Sequence, residues 1–205
     1  MKLRLVSLIA ALALTATAAF AQTVTYTATP GSKLKMDGTS TLHDWTMETS
    51  LIGGSLEWDA AFDAAPKPGK INATVKSIIL VRSLKSGKSS MDAVMQDAMK
   101  AEKNPKIEYK LTELTLKEAP KSATDAMTFD SKGEITVSGV TKPLAMTVTI
   151  TRVDAGKLKI TGTTPLKMSA FGITPPAPAV GLGLIKTGDD VKISFEWVTK
   201  KAEAK

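Results

Sequence analysis

Alternation of apolar and polar residues with a period of two runs through most of this chain. It restricts the fold more than any other feature. Val191, Ile193, Phe195 and Trp197 alternate with Lys192, Ser194, Glu196 and Val198. Met146, Val148 and Ile150 alternate with Thr147, Thr149 and Thr151, and Ile107, Tyr109 and Leu111 alternate with Glu108, Lys110 and Thr112. Successive side chains of a strand point to opposite faces, so this pattern predicts strands with one face buried. Thr23–Ala28, Ser32–Gly38, Trp45–Trp58, Lys70–Val81, Met127–Ser138 and Lys157–Lys167 read the same way, which makes about nine strand candidates. Gly-Ser, Pro-Gly, Ala-Gly and Gly-Asp steps separate many of them. Long neighbouring strands with short connections predict an antiparallel meander. Such a sheet curls or closes, because closure removes its edges.

Two segments break the pattern. Between Ser89 and Glu102, the residues Met91, Val94, Met95, Ala98 and Met99 fall on one helical face. Ser90 is the expected N-cap, Asp92 sits in the first turn, Lys100 and Lys103 lie near the end, and Asn104-Pro105 stops the helix. One short helix in an all-β chain caps a barrel end or lies across its wall. Its methionine stripe reads either as an adaptable apolar lid or as ordinary core packing. The second segment, Phe171 to Lys186, is rich in proline and glycine and reads as a long loop. Its apolar members Phe171, Ile173, Val180, Leu182, Leu184 and Ile185 line a barrel mouth or cover its end.

The first 21 residues are expected to stand outside the fold. Lys2 and Arg4, the apolar run Leu5 to Leu14 and the small-x-small step Ala19-Phe20-Ala21 read as a cleaved secretory signal peptide. No cysteine follows the cleavage site, so a lipid anchor is not expected. Residues 22–205 then form a single domain, periplasmic or secreted. The absence of cysteine also excludes disulfides, thiolate metal sites and cysteine nucleophiles, and the single histidine excludes a multi-histidine metal centre. The net charge of +7 favours anionic partners, such as a membrane surface touched transiently. The lysines are spread along the chain rather than clustered, and nucleic acid is not an expected partner of an exported chain.

Catalytic chemistry is hard to find. His43 and Asp44 are adjacent, so on a strand they point to opposite faces and make a poor dyad. There is no Gly-x-Ser-x-Gly elbow and no phosphate-binding glycine motif leading into a helix. No catalytic residue, metal site or cofactor is assigned. Asn72-Ala73-Thr74 matches a glycosylation acceptor, which matters only in a eukaryotic secretory pathway.

Several segments, in order and spacing, resemble the YceI-like family of exported polyisoprenoid- or lipid-binding barrels. They are Ser40-Thr41-Leu42-His43-Asp44-Trp45, then Ile79-Leu80-Val81-Arg82-Ser83-Leu84 with the Met91–Met95 helix, and Asn104-Pro105-Lys106-Ile107. Gly133 to Pro143, Phe171-Gly172-Ile173 and Gly188 to Ile193 complete the likeness. The resemblance implies a lipocalin-like antiparallel β-barrel of about eight strands with one short α-helix. It also implies an interior that holds an isoprenoid, quinone-like or other amphiphilic lipid. An eight-stranded barrel is about the smallest that can enclose one small ligand. On that reading the candidate ligand contacts are Met91, Met95, Met99, Ile107, Tyr109, Val148, Phe171 and Phe195. His43 and Arg82 are the candidates for the polar head group. The oligomeric state stays open, a dimer included.

Three other readings compete with a lipid carrier. An outer-membrane barrel needs aromatic girdles and a terminal aromatic residue, whereas this chain holds five Phe, three Trp and two Tyr and ends Ala202-Glu203-Ala204-Lys205. A protein-interaction barrel of the cell envelope would show a filled core and exposed apolar patches. An enzyme needs a nucleophile–base pair or a metal, and it is the least expected of the three.

Overall fold

The computed structural model describes residues 22–203 except 123 and 178–184. The expected leader and the loop residues Val180, Leu182 and Leu184 lie outside the described residues. The elements, in chain order, are β1 (Thr23–Ala28), β2 (Lys33–Ser40), β3 (Trp45–Thr49), β4 (Gly53–Asp59), α1 (Ala60–Ala64), β5 (Gly69–Ile71), β6 (Ala73–Leu80), α2 (Ser89–Ala98), β7 (Lys106–Leu116), β8 (Met127–Val137), β9 (Val140–Asp154), β10 (Lys157–Lys167) and β11 (Thr187–Lys201). Single 3₁₀ turns cover Val81–Ser83 and Ser169–Phe171.

All strand pairs are antiparallel, and the ladder closes on itself because β1 pairs with both β4 and β11. The wall has eight strand positions. Three of them are split: β1 and β2 both pair with β11, β5 and β6 both pair with β7, and β3 and β4 follow β2 and β1 respectively. The long candidates Trp45–Trp58 and Lys70–Val81 are therefore each broken once. Between β1 and β2, Pro30-Gly31 turns the chain, and the Ser32 hydroxyl accepts the β11 amide of Val198 at 3.0 Å. Gly54 is required just beyond the break between β3 and β4. A Cβ there would lie 2.0 Å from the Lys76 carbonyl oxygen of the neighbouring strand.

The β8–β9 hairpin turns on two residues only, Ser138 and Gly139, both with positive φ (50° and 80°). That is the twist a two-residue hairpin requires. Pro143 lies inside β9 opposite Glu134. Its position is tolerated because β9 pairs with β10 only from Val148 onward, which leaves residues 140–147 with one neighbour. Pro165 of β10 lies across the same gap. The wall is thus splayed between β9 and β10, and the Ser169–Phe171 turn packs against both strands there, with Phe171 and Ile173 buried.

Helix α2 starts at Ser89, with Lys88 rather than Ser90 as its N-cap and no side-chain cap. Asp92 does the tethering instead. It accepts the Ser86 amide at 2.8 Å and the Ser86 hydroxyl at 2.7 Å, and these bonds hold its carboxyl below the usual aspartate range. The helix stops three residues after Met95, and Met99 is its C-cap.

The opposite end of the barrel is closed. α1, a short helix the alternation gave no sign of, lays Phe62 edge-on against Trp58 and Phe129. Asp63 takes bonds on one carboxylate oxygen from Tyr26 (2.9 Å), Trp58 Nε1 (3.2 Å) and Arg152 (2.9 Å), and on the other from Lys201 (3.1 Å). Burial pushes this carboxyl up, but the bonds from Arg152, Tyr26 and Lys201 outweigh it and hold the group ionised below the usual aspartate range.

Candidate functional site

The closed ring decides which alternate of each strand points inward. Val191, Ile193, Phe195 and Trp197 line the lumen, while Lys192 is exposed on the outer wall. Lys76, Lys110, Lys132 and Glu134 are exposed likewise. An apolar inside and a charged outside reverse the arrangement of a transmembrane barrel.

The lumen holds two adjoining cavities. The outer one, of about 510 Å³, lies under α2 and opens at the end where β2, β6, β8 and β10 finish. The inner one, of about 120 Å³, reaches toward Trp197 and Leu114. Leu34, Ile79, Ile107, Ile135, Leu166 and Ile193 line both and mark the neck where the two meet. The outer volume falls in the range of small-molecule sites, and its walls are predominantly apolar, as such sites are.

The expected contact residues distribute along this lumen. Met91, Met95, Met99, Phe171 and His43 line the outer cavity, Ile107 lies at the neck, and Tyr109, Val148 and Phe195 line the inner cavity. Met95 and Met99 are 7% and 6% exposed, so they contribute to packing and to the cavity wall together. Arg82 is not among the lining residues. The 3₁₀ turn sends Val81 into the core and leaves Arg82 exposed. His43 lies at the mouth beside Leu42, which is 67% exposed. Its Nδ1 is 2.7 Å from the Asp44 carbonyl. A carbonyl only accepts, so Nδ1 carries the proton in this arrangement and Nε2 is left for a guest. Lys88 and Ser90, at the start of α2, face the same opening.

Sequence reasoning missed the device that keeps the lumen open. Three aromatic rings lie across glycines of the adjacent strand: Trp45 over Gly38, Tyr109 over Gly133 and Phe195 over Gly162. A Cβ at Gly38 would meet the Trp45 ring at 2.1 Å, one at Gly133 would meet the Tyr109 hydroxyl at 2.5 Å, and one at Gly162 would meet Phe195 Cζ at 2.7 Å. Each ring therefore lies flat on the wall instead of standing into the lumen. The glycines are visible in the sequence, but their partners depend on register, which alternation alone does not give.

The chain matches the YceI-like domain over residues 23–199. A UPF0312 protein of Pseudomonas syringae pv. syringae is 29% identical over 161 residues, 74% of this chain and 76% of that protein. Among solved structures, a polyisoprenoid-binding domain from Saccharophagus degradans, implicated in plant cell wall breakdown, superposes with a TM-score of 0.67 at 11% identity, covering 88% of this chain and all of that one. BcnA of Burkholderia cenocepacia gives 0.60 at 19% identity, covering 82% of this chain and 95% of that one. The YCEI protein of Campylobacter jejuni gives 0.55 at 18% identity, covering 76% and 84%. The eight-position barrel, the helix across its mouth and the match through nearly the whole described chain agree: this protein belongs to the YceI-like domain family.

Proposed function

We propose that this chain is an exported binding protein that carries or stores an isoprenoid, quinone-like or other amphiphilic lipid in its lumen. The observation that carries the reading is the pair of adjoining apolar cavities, about 510 Å³ and about 120 Å³, walled in part by rings laid flat on glycines. The polyisoprenoid-binding function of the Saccharophagus degradans domain supports it. Each buried CH₂-sized group gains about 0.8 kcal/mol, so one five-carbon prenyl unit gains about 4 kcal/mol before the cost of ordering the chain. Affinity then comes from the tail. His43 at the mouth supplies a hydrogen bond for a group left near water.

The expected leader delivers the protein to the envelope, and the mouth is the end that meets a membrane. Leu42 inserts there, and Lys88, which has no ion-pair partner among the described residues, meets anionic head groups. The test is transfer of a fluorescent prenyl-chain probe between donor and acceptor vesicles. The protein should accelerate transfer several-fold, and more strongly from vesicles that contain anionic lipid. No acceleration together with no saturable binding of the probe would overturn the carrier reading.

A further inference from the structure

The inner cavity is apolar almost throughout, yet it contains hydrogen-bonding groups that the barrel does not need for its own ladder. Tyr109 of β7 and Ser131 of β8 both line it, and their hydroxyl oxygens are 2.7 Å apart. Ser131 is 3% exposed. Two hydroxyls joined by one hydrogen bond leave one hydroxyl hydrogen over, and the pair has no other acceptor among the described residues. Ser77, directly opposite Tyr109 on β6, faces the same space. Trp197, nearer the closed end, lines the cavity as well, and its buried indole N–H has no partner among the described residues. Buried donors left without acceptors are costly, and they are rare unless they serve a role.

We propose that the Tyr109–Ser131 pair is a binding station for an oxygen atom at the inner end of the guest. The ligand class is then a prenyl or acyl chain that carries a hydroxyl, carbonyl or ether oxygen and enters oxygen-first, not a bare hydrocarbon tail anchored only at the mouth. This rests on the lipid-carrier reading and sharpens it. Tyr109 is suited to the role because its ring is fixed over Gly133, where no Cβ intervenes, so the hydroxyl is held in place without crowding the lumen.

The test compares farnesol with farnesene, the matched hydrocarbon, by displacement of a fluorescent fatty-chain probe from the full-length protein, Tyr109→Phe and Ser131→Ala. The wild type should bind farnesol about tenfold more tightly than farnesene, the scale of one hydrogen bond in a dry site. Each variant should erase that preference, bringing farnesol affinity to the level of farnesene affinity in the same variant. Thermal melts run in parallel identify a variant that merely unfolds, and the farnesol-to-farnesene ratio is read within each folded variant. Equal affinity of the wild type for both probes, or a farnesol preference that survives both substitutions, would overturn the station while leaving the carrier reading in place. Binding of neither probe would overturn the carrier reading and the station with it.

Discussion

Gly162→Ala tests whether the space inside the barrel is functional. The new Cβ would lie 2.7 Å from Phe195 Cζ, 2.8 Å from Cε1 and 3.4 Å from a Val148 methyl, with no backbone atom as close. Carbon atoms pack at about 3.5–4.0 Å, so the ring must move by roughly 1 Å. The wall is on one side of it and the inner cavity of about 120 Å³ is on the other, so the ring moves inward. Overpacking a filled core costs about 1–3 kcal/mol, and here the open space keeps the cost near the lower figure. The displaced volume falls on the guest instead. Losing about two or three chain carbons at about 0.8 kcal/mol each amounts to ~2 kcal/mol, or roughly a 30-fold loss of affinity. The assay pairs displacement of a fluorescent fatty-chain probe with urea denaturation. Phe195→Leu, added to Gly162→Ala, should restore most of the affinity by freeing the same space. A variant destabilised by more than ~3 kcal/mol with unchanged affinity would refute the reasoning, because it would mean the ring is core rather than lumen wall.

Other expectations follow from the same structure. Met95→Lys places an ammonium group in the wall of the outer cavity, near an opening through which it can reach water, and should cut probe affinity at least tenfold while the melting temperature moves by only a few degrees. Equal losses of binding and stability would sink the lid role of α2. Asp63→Asn removes the charge that Arg152 and Lys201 share, with side-chain exposures of 17% for Arg152 and 9% for Asp63, and should cost about 3 kcal/mol in urea denaturation at neutral pH. Because the folded state holds this carboxyl below its ordinary value, its contribution is complete above about pH 4 and is lost as the pH falls through the folded value. The Asp63→Asn protein should therefore show a flatter acid limb, and an unchanged limb would contradict this. Lys88→Glu should weaken binding to anionic vesicles several-fold and leave neutral vesicles unaffected; a loss on both would place the contact elsewhere.

The strands were the most legible part of the fold, because half-buried walls write their period directly into the chain. Lys157–Lys167 and Thr23–Ala28 coincide with β10 and β1. The break at Asn72 was not legible, since alternation continues across a split in which β5 and β6 both keep β7 as neighbour, whereas at residues 50–52 the buried positions shift from Met47 and Thr49 to Ile52, Leu56 and Trp58 as the neighbour changes from β2 to β1. α1 escaped notice because five residues cannot establish a helical period. The methionine face of α2 was visible, but its N-terminal tether was not: Ser86 reaches Asp92 from outside the helix, and Ser90 takes no part. Among the site residues, those on alternating strands fell where the inward face put them. Arg82 did not: Ile79 and Val81 are buried while Leu80 and Arg82 are exposed, so the alternation carries Arg82 outward through the 3₁₀ turn. The Tyr109–Ser131 pair, the Tyr109 and Phe195 rings on glycine and the Asp63–Arg152 bond join residues far apart in the chain. Each depends on strand register, which only the closed barrel fixes.

The central claim is that the lumen is occupied in life by a lipid. Native mass spectrometry of the protein purified from its own cells, with organic extraction of the same sample, addresses it most directly. The account predicts one prenyl- or acyl-chain molecule per protein molecule, retained under gentle ionisation and recovered in the extract. Protein without bound lipid, which also fails to take up added farnesol or an acyl chain, would contradict it.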